Sequence, residues 1–206
     1  YYIDNISLNV YSLEELCYYI ENHLYLIEAD FMSEELCLWI GQELDEKDLA
    51  QSLRSVLLGN GSLSDFTELI LRSCGYCSED TIRHIRSVLL DMQNKSVFEC
   101  SKIRADRYME SEKYVKAIHE YRKLLGMEEE CKKNPVLEGN IRLNLGTACA
   151  ELFLFDEAAA NFLNAYRLNQ NRESLAACMA ACRLAKKTDI LKKYKEEFHV
   201  SDEAFK

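Results

Sequence analysis

Turn-forming residues are scarce in this sequence. Its 206 residues include seven glycines and one proline, Pro135. A sheet protein changes direction every ~8–12 residues, usually at glycine, proline, asparagine or aspartate. The shortage argues against a sandwich or barrel and predicts long helices. Because 48% of the residues are hydrophobic, the chain can bury a core, which argues against extensive disorder.

Long apolar runs are also missing. No stretch approaches the ~20 residues of a membrane span. The first residues, YYIDNISLNVYS, lack the basic start and apolar stretch of a secretory signal peptide. Nine cysteines are present, but their number is odd and their spacing irregular, which indicates free thiols in a reducing compartment. We therefore expect a cytoplasmic protein with no membrane partner.

Charge is distributed unevenly along the chain. Residues 1–93 carry 17 acidic and 5 basic side chains, a net charge of −12. Residues 94–206 carry 18 acidic and 20 basic side chains, a net charge of +2. An acidic first half repels a phosphate backbone, so no nucleic-acid partner is expected. The shift in charge divides the chain into an acidic N-terminal helical region, 1–93, and a second region, 94–206.

The acidic region contains residues that mark helix ends, and a short internal repeat. Ser12 and Glu15 have the spacing of a capping box, and Gly59-Asn60-Gly61 marks the end of a helix over about 46–58. The sequence RSVLL occurs at 54–58 and again at 86–90, a shift of 32 residues. A period in the low thirties is typical of helical arrays. The N-terminal helices either continue such an array or form a separate small bundle.

The second region contains a longer repeat. Residues 105–125, ADRYMESEKYVKAIHEYRKLL, align without a gap with residues 146–166, GTACAELFLFDEAAANFLNAY. Small residues match small ones and aromatic residues match aromatic ones: Ala105 with Gly146, Tyr114 with Phe155, Ala117 with Ala158, and Tyr121 with Phe162. Small residues allow two helix backbones to approach closely, and large ones fill the adjacent hole.

This pattern resembles the tetratricopeptide repeat (TPR), over residues about 97–199. Leu145-Gly146 matches the Leu-Gly pair of that repeat, and both copies have the later alanine followed by an aromatic four residues on. The copies are offset by 41 residues instead of 34, so about seven extra residues near GMEEECKKNPVL lengthen a helix or a loop. A third A-type helix is predicted at about 172–186, followed by a polar helix that caps the stack.

The resemblance implies an all-α fold, a right-handed TPR-like α-α superhelix with additional N-terminal helices, about ten or eleven helices in total. It also implies a concave groove lined by the A-type helices. The groove positions implied here are Lys102, Asp106, Met109, Leu143, Asn144, Thr147, Ser174 and Ala177, with Cys178 and Ala181 beside them. The function expected is non-catalytic binding of a protein or peptide, with homodimerisation through an exposed edge of the array left open.

Some TPR proteins hold the C-terminal carboxylate of a chaperone with two lysines, an arginine and two asparagines. Lys102 and Asn144 stand at matching positions. Asp106, Ser174 and Cys178 stand where asparagine, lysine and arginine are required. One cation of three is a poor carboxylate clamp. We therefore predict that this chain does not bind such tails.

Two alternatives belong to other functional classes. The first is a peptide-sensing transcriptional regulator with an N-terminal DNA-binding segment, which the charge of residues 1–93 disfavours. The second is a thiol redox or metal protein using Cys74 and Cys77. That pair follows an apolar helix and flanks Gly75, a natural helix stop, whereas a redox pair needs a strand-to-helix junction and zinc needs two more ligands. We therefore expect no catalytic residue, cofactor or metal.

Overall fold

The computed structural model describes residues 1–199, and this part of the chain is all-helical except for one small hairpin. The all-α prediction is therefore confirmed. The hairpin pairs β1 (Tyr2–Ile3) with β2 (Leu8–Asn9). The α-helices are α1 (Leu13–Asn22), α2 (Glu34–Gln42), α3 (Lys47–Leu58), α4 (Leu63–Cys74), α5 (Glu79–Gln93), α6 (Val97–Glu110), α7 (Tyr114–Leu125), α8 (Glu128–Lys133), α9 (Pro135–Glu151), α10 (Phe155–Asn169), α11 (Arg172–Leu184) and α12 (Thr188–Glu197).

The chain divides into two compact units, one comprising Tyr1–Ser96 and the other beginning at Val97. Unit 1 contains the hairpin and α1 to α5, and unit 2 contains α6 to α12. Each unit has its own set of fully buried side chains. Each is therefore described by itself.

The helices of unit 1 begin and end where side chains or glycine satisfy the free backbone groups. Ser12 Oγ accepts the Glu15 N–H at 3.2 Å, and the Glu15 carboxylate accepts the N–H of Tyr11, 2.8 Å away, where a capping box would use that of Ser12. Gly59 follows the last residue of α3. Gly75, at φ 66°, ends α4 in the left-handed conformation that glycine adopts without steric strain.

The core of unit 1 is built around three aromatic rings. The Tyr19 and Phe31 ring centroids lie 6.0 Å apart, and Phe31 meets Phe66 edge-on at 6.4 Å. Tyr19 and Phe66 are fully buried, as are six aliphatic side chains around them. Those six are Ile20, Leu36, Ile40, Leu53, Ile70 and Leu71. Offset and edge-on rings stabilise a core beyond the area that they bury.

Unit 2 packs its helices in series. α6 contacts α7, α7 contacts α9, α9 contacts α10, α10 contacts α11, and α11 contacts α12. At Gly146 two helices approach closely, because an added Cβ would lie 2.7 Å from two carbons of the Phe162 ring. Ala105, Ala117 and Ala158 are fully buried at the small positions of the repeat. The matched small and aromatic residues thus lie where helices meet.

One turn geometry recurs three times in unit 2. Glu112, Phe153 and Lys186 have φ between 57° and 60°, and each is the second-last residue before a helix. The N–H of the next residue donates to a carbonyl five residues earlier, at 2.8 to 2.9 Å. This 6→1 bond satisfies a free carbonyl at the end of the preceding helix. The donor and acceptor pairs are Lys113 and Tyr108, Leu154 and Cys149, and Lys187 and Cys182.

The additional residues between the first two hairpins form a separate short helix, α8, and lengthen α9, which has 17 residues where α6 has 14. Cys131, on α8, is buried, and its thiol donates to the Leu124 carbonyl at 3.5 Å. Asn134 then caps α9 by accepting the Leu137 N–H at 3.1 Å. Pro135 is the first residue of α9, where its missing N–H and fixed φ are tolerated. Proline would interrupt a helix running through this point, so α8 and α9 are distinct.

Candidate functional site

Two of the predicted groove residues form an ion pair on α6. Lys102 Nζ lies 2.5 Å from Asp106 Oδ2, one helical turn away. The Lys102 side chain is 26% exposed and that of Asp106 35% exposed, so a ligand can reach both. The lysine charge is already paired with a carboxylate. This pairing leaves little attraction for a second carboxylate from a peptide terminus.

A third groove residue joins this pair from a different helix. The side-chain amide of Asn144, on α9, donates hydrogen bonds to Asp106 Oδ1 at 3.3 Å and to the Tyr121 hydroxyl oxygen at 3.2 Å. Tyr121, on α7, donates its own hydroxyl to Asp106 Oδ1 at 2.7 Å. Lys102, Asp106, Tyr121 and Asn144 therefore make one network across α6, α7 and α9, here called the polar cluster. Such networks specify one arrangement of the helices when their members are satisfied.

Tyr121 supplies a fixed hydrogen-bond donor to the polar cluster. Its side chain is fully buried. Burial, with the hydrogen bond to Asp106, raises the pKa of the Tyr121 hydroxyl well above its ordinary value. The phenol therefore stays protonated at neutral pH and donates to the carboxylate. The repeat pattern in the sequence predicted Tyr121 only as a packing residue. Its hydrogen bonds to Asp106 and Asn144 depend on the tertiary structure.

The remaining predicted positions divide by exposure. Met109, Leu143 and Thr147 are half-buried, and the Thr147 hydroxyl donates to the Leu143 carbonyl at 3.0 Å. Ala177, on α11, is also half-buried. Ser174, Cys178 and Ala181 are buried, and the Ser174 hydroxyl has no hydrogen-bond partner among residues 1–199. On α11 the accessible part of the predicted face is therefore made of alanine.

An apolar cavity that the sequence did not indicate lies where α11 meets α12. It encloses about 320 Å³ and is lined by Met179, Ala180, Arg183, Leu184, Leu191 and Lys195. The side chain of Leu184 is 59% exposed at this point. The sequence signal that could have indicated this cavity is Leu184, an apolar residue at the polar end of α11.

The Cys74–Cys77 segment has the geometry of a helix-to-helix turn. Cys74 is the last residue of α4, Gly75 has left-handed φ, and Ser78 caps α5 by accepting the Thr81 N–H at 3.1 Å. Burial, with the nearby Glu21 carboxylate and Cys74, raises the pKa of the Cys77 thiol. Its position before a helix therefore does not make it a reactive thiolate. Within residues 1–199, no group of three or more histidine, cysteine, aspartate or glutamate side chains has the arrangement of a metal site.

Among the residues that the structure describes, no helix has both the length and the apolar character needed to cross a membrane. Comparisons of the chain with protein-family models, with curated proteins and with solved structures gave no match.

Proposed function

We propose that this chain is a non-catalytic scaffold that binds a protein or peptide in a TPR-like groove of unit 2. The observation that carries the proposal is the threefold recurrence of one helix–turn–helix hairpin, with the same left-handed residue and 6→1 bond each time. Hairpins stacked in series as a right-handed array leave the faces of alternate helices open as a concave surface. In unit 2 those helices are α6, α9 and α11.

The polar cluster gives this surface a chemical character. Asp106 and Asn144 are half-exposed side chains that accept and donate hydrogen bonds, and Lys102 balances the aspartate charge. Of the other predicted groove residues, Met109 on α6, Leu143 on α9 and Ala177 on α11 are apolar and half-buried. This combination suits an internal peptide segment that brings backbone amides and small apolar side chains. A free terminal carboxylate suits it less, because the only cation of the cluster is already paired.

A DNA-binding role for unit 1 has no support from its cations. Each of the five basic side chains in residues 1–93 lies beside a carboxylate. Arg54 Nε, for example, is 2.7 Å from Glu34, and Arg72 Nε is 2.8 Å from Glu68. Cations that are already neutralised release few counterions on binding a phosphate backbone. We therefore keep the regulator hypothesis below the scaffold proposal.

The proposal is tested by quantitative capture from native lysate with the intact chain and two single variants. Lys102→Met keeps the aliphatic stem but removes the charge of the polar cluster. Lys123→Met makes the same change on α7, where Lys123 is 42% exposed and 3.8 Å from Glu120. We expect partners retained by the intact chain and by Lys123→Met to fall about tenfold with Lys102→Met. Asp106 then loses the cation that holds its carboxylate, and a hydrogen bond from a peptide amide to that carboxylate contributes about 1.5 kcal/mol.

A third variant, Ala177→Gln, places a long side chain on the α11 part of the same surface. It is expected to reduce capture of the same partners by steric exclusion. Equal capture by all four proteins would move the binding site away from the groove. Circular dichroism of each variant, unchanged from the intact chain, is the control for folding.

A further inference from the structure

Two cysteines that are 57 residues apart in sequence meet between α1 and α4. Cys17, on α1, is fully buried and its thiol donates to the Ile70 carbonyl at 3.8 Å. Cys74 lies four residues after Ile70, on the same face of α4. The Ile70 carbonyl is also the acceptor for the Cys74 backbone N–H within α4, so the Cys17 thiol lies against the last turn of α4, which carries Cys74. After burial, Cys74 is the largest cause of the raised pKa of Cys17, ahead of Cys77.

We infer that Cys17 and Cys74 are an oxidisable thiol pair, which forms a disulfide between α1 and α4 when the protein meets a two-electron oxidant of the peroxide class. The spacing of Cys74 and Cys77 in sequence suggests another partner, but the Cys17 thiol lies against the turn of α4 that carries Cys74. This inference does not depend on the proposed function of unit 2.

Access differs between the two thiols and sets the order of the reaction. Cys74 is half-buried and lines a surface cavity of about 250 Å³ with Ser12, Glu14, Leu44 and Glu46. A molecule as small as hydrogen peroxide can enter a space of this size. Cys17 has no exposed surface. Cys74 is therefore the thiol that is oxidised first, and Cys17 is the thiol that resolves it.

The chemistry balances with peroxide as the only co-reactant. Cys74 Sγ, as the thiolate, attacks one peroxide oxygen; the O–O bond breaks, the departing hydroxide takes a proton, and Cys74 becomes a sulfenic acid. Cys17 Sγ then attacks the Cys74 sulfur, the S–O bond breaks, and hydroxide leaves with the Cys17 proton as a second water. Two thiols lose two electrons, and one peroxide becomes two waters. Burial and the adjacent Cys74 raise the pKa of Cys17, so this second step is expected to accelerate as pH rises.

The test exposes the reduced full-length chain to about a tenfold molar excess of hydrogen peroxide. Free thiols are then alkylated, the protein is digested without reduction, and cross-linked peptides are identified by mass spectrometry. We expect a Cys17–Cys74 peptide that disappears on reduction with dithiothreitol. Because the bridge closes a loop of more than fifty residues, the oxidised protein should melt about 10 °C higher than the reduced one. The Cys77→Ser variant should give the same cross-link, and Cys17→Ala should not.

The chain contains a matched internal control. Cys178 and Cys182 are both buried and lie one turn apart on α11. Residues four apart on a helix hold their Cβ atoms ~5–6 Å apart, beyond the ~4 Å that a disulfide needs. They should stay reduced in the same sample. A Cys74–Cys77 cross-link, or Cys74 oxidised beyond the sulfenic acid with Cys17 still free, would overturn the inference.

Discussion

The two units of this chain build helical structure in different ways. Unit 2 repeats one hairpin three times, and in the second copy the small residue Gly146 faces the ring of Phe162. Unit 1 has five α-helices whose connections differ, with a strand hairpin and aromatic rings completing its core. A repeat is stabilised by contacts between neighbouring copies, whereas an irregular bundle depends on contacts that occur only once.

One turn nevertheless occurs in both units. Asp45, before α3, has φ 57°, and Glu46 after it has nearly the same φ and ψ as Lys113, Leu154 and Lys187. In unit 1 the Glu46 N–H donates to a carbonyl six residues earlier, that of Ile40, at 3.1 Å, where unit 2 uses five. Unit 1 therefore contains one hairpin close to the repeated form, with one more residue in its turn.

The largest expected effect is the loss of a buried ring. Phe66→Ala in unit 1 and Phe162→Ala in unit 2 should each lower the free energy of unfolding by about 3–5 kcal/mol. Adding Gly146→Ala to Phe162→Ala should recover about 1 kcal/mol, because the new methyl group enters the space that the ring left. Urea unfolding measures all three. If the changes in unfolding free energy caused by Gly146→Ala and Phe162→Ala simply add, then contact with Phe162 does not explain why residue 146 is a glycine. Leu58→Ala, at an 82% exposed residue, is the control with an expected change near zero.

Two glycines separate packing from backbone conformation. Gly146→Ala should destabilise the protein by about 1–3 kcal/mol because its Cβ meets the Phe162 ring. Gly75→Ala should cost about 1–2 kcal/mol because φ is 66°, although nothing lies within 4 Å of its Cβ. Asparagine tolerates left-handed φ, so Gly75→Asn should be milder than Gly75→Ala, whereas Gly146→Asn should be more severe than Gly146→Ala. The same order at both sites in urea unfolding would contradict this distinction.

Removal of one hydroxyl compares a polar contact between helices with one between a helix and the N-terminal strand hairpin. Tyr121→Phe removes a donor to the charged Asp106. Tyr19→Phe removes a hydroxyl that donates to the neutral amide oxygen of Asn5 at 3.1 Å and accepts from the Asn5 amide nitrogen at 2.8 Å. We expect losses of about 1.5–2 kcal/mol for Tyr121→Phe and about 1 kcal/mol for Tyr19→Phe, since hydrogen bonds to charged groups are stronger. Thermal and urea unfolding at neutral pH report both. A larger loss for Tyr19→Phe would mean that the polar cluster contributes little to unit 2.

The smallest expected effect is the acid sensitivity of unit 1. The Arg72 guanidinium and, next to it, Arg86 lower the pKa of Glu68 below its ordinary value. A carboxyl whose pKa is lower in the folded state stabilises the protein above its unfolded pKa, and this contribution disappears as pH falls through the folded pKa. Between about pH 5 and pH 3, the intact chain should therefore lose more stability than Glu68→Gln does, by less than about 1 kcal/mol. An unchanged difference in about 0.5 M NaCl would contradict an exposed ion-pair origin.

The helices themselves were largely predictable from local sequence. Ser12, Gly59 and Gly75 mark helix ends that the structure confirms, because helix ends are set largely by local side-chain and backbone interactions. The two copies of RSVLL show the same rule. The first ends α3 because Gly59 follows it, and the second lies within α5, which continues to Gln93. In residues 94–199, the matched small and aromatic positions, which lie at helix contacts, were also predictable from the sequence.

The repeated turns were not predictable in the same way. Glu112, Phe153 and Lys186 are ordinary helix or strand residues, yet all three adopt left-handed φ. Only Gly, Asn and Asp favour that conformation by themselves, so nothing in the local sequence marks these positions. Packing between the two helices of each hairpin must hold them there. The short helix α8 was not predictable for the same reason, because the composition of this segment does not distinguish a short helix from a longer loop.

Sequence alone determined the class of this protein: scarce glycine and proline, ample apolar residues and periodic small and aromatic positions lead to helices packed on helices. Only the tertiary structure decided which polar and thiol groups meet. Asp106 and Asn144 are 38 residues apart along the chain, and Cys17 and Cys74 are 57 apart. Such contacts depend on how helices cross, and crossing is set by the packing of whole faces, so the residues that meet need not be neighbours in any sequence motif.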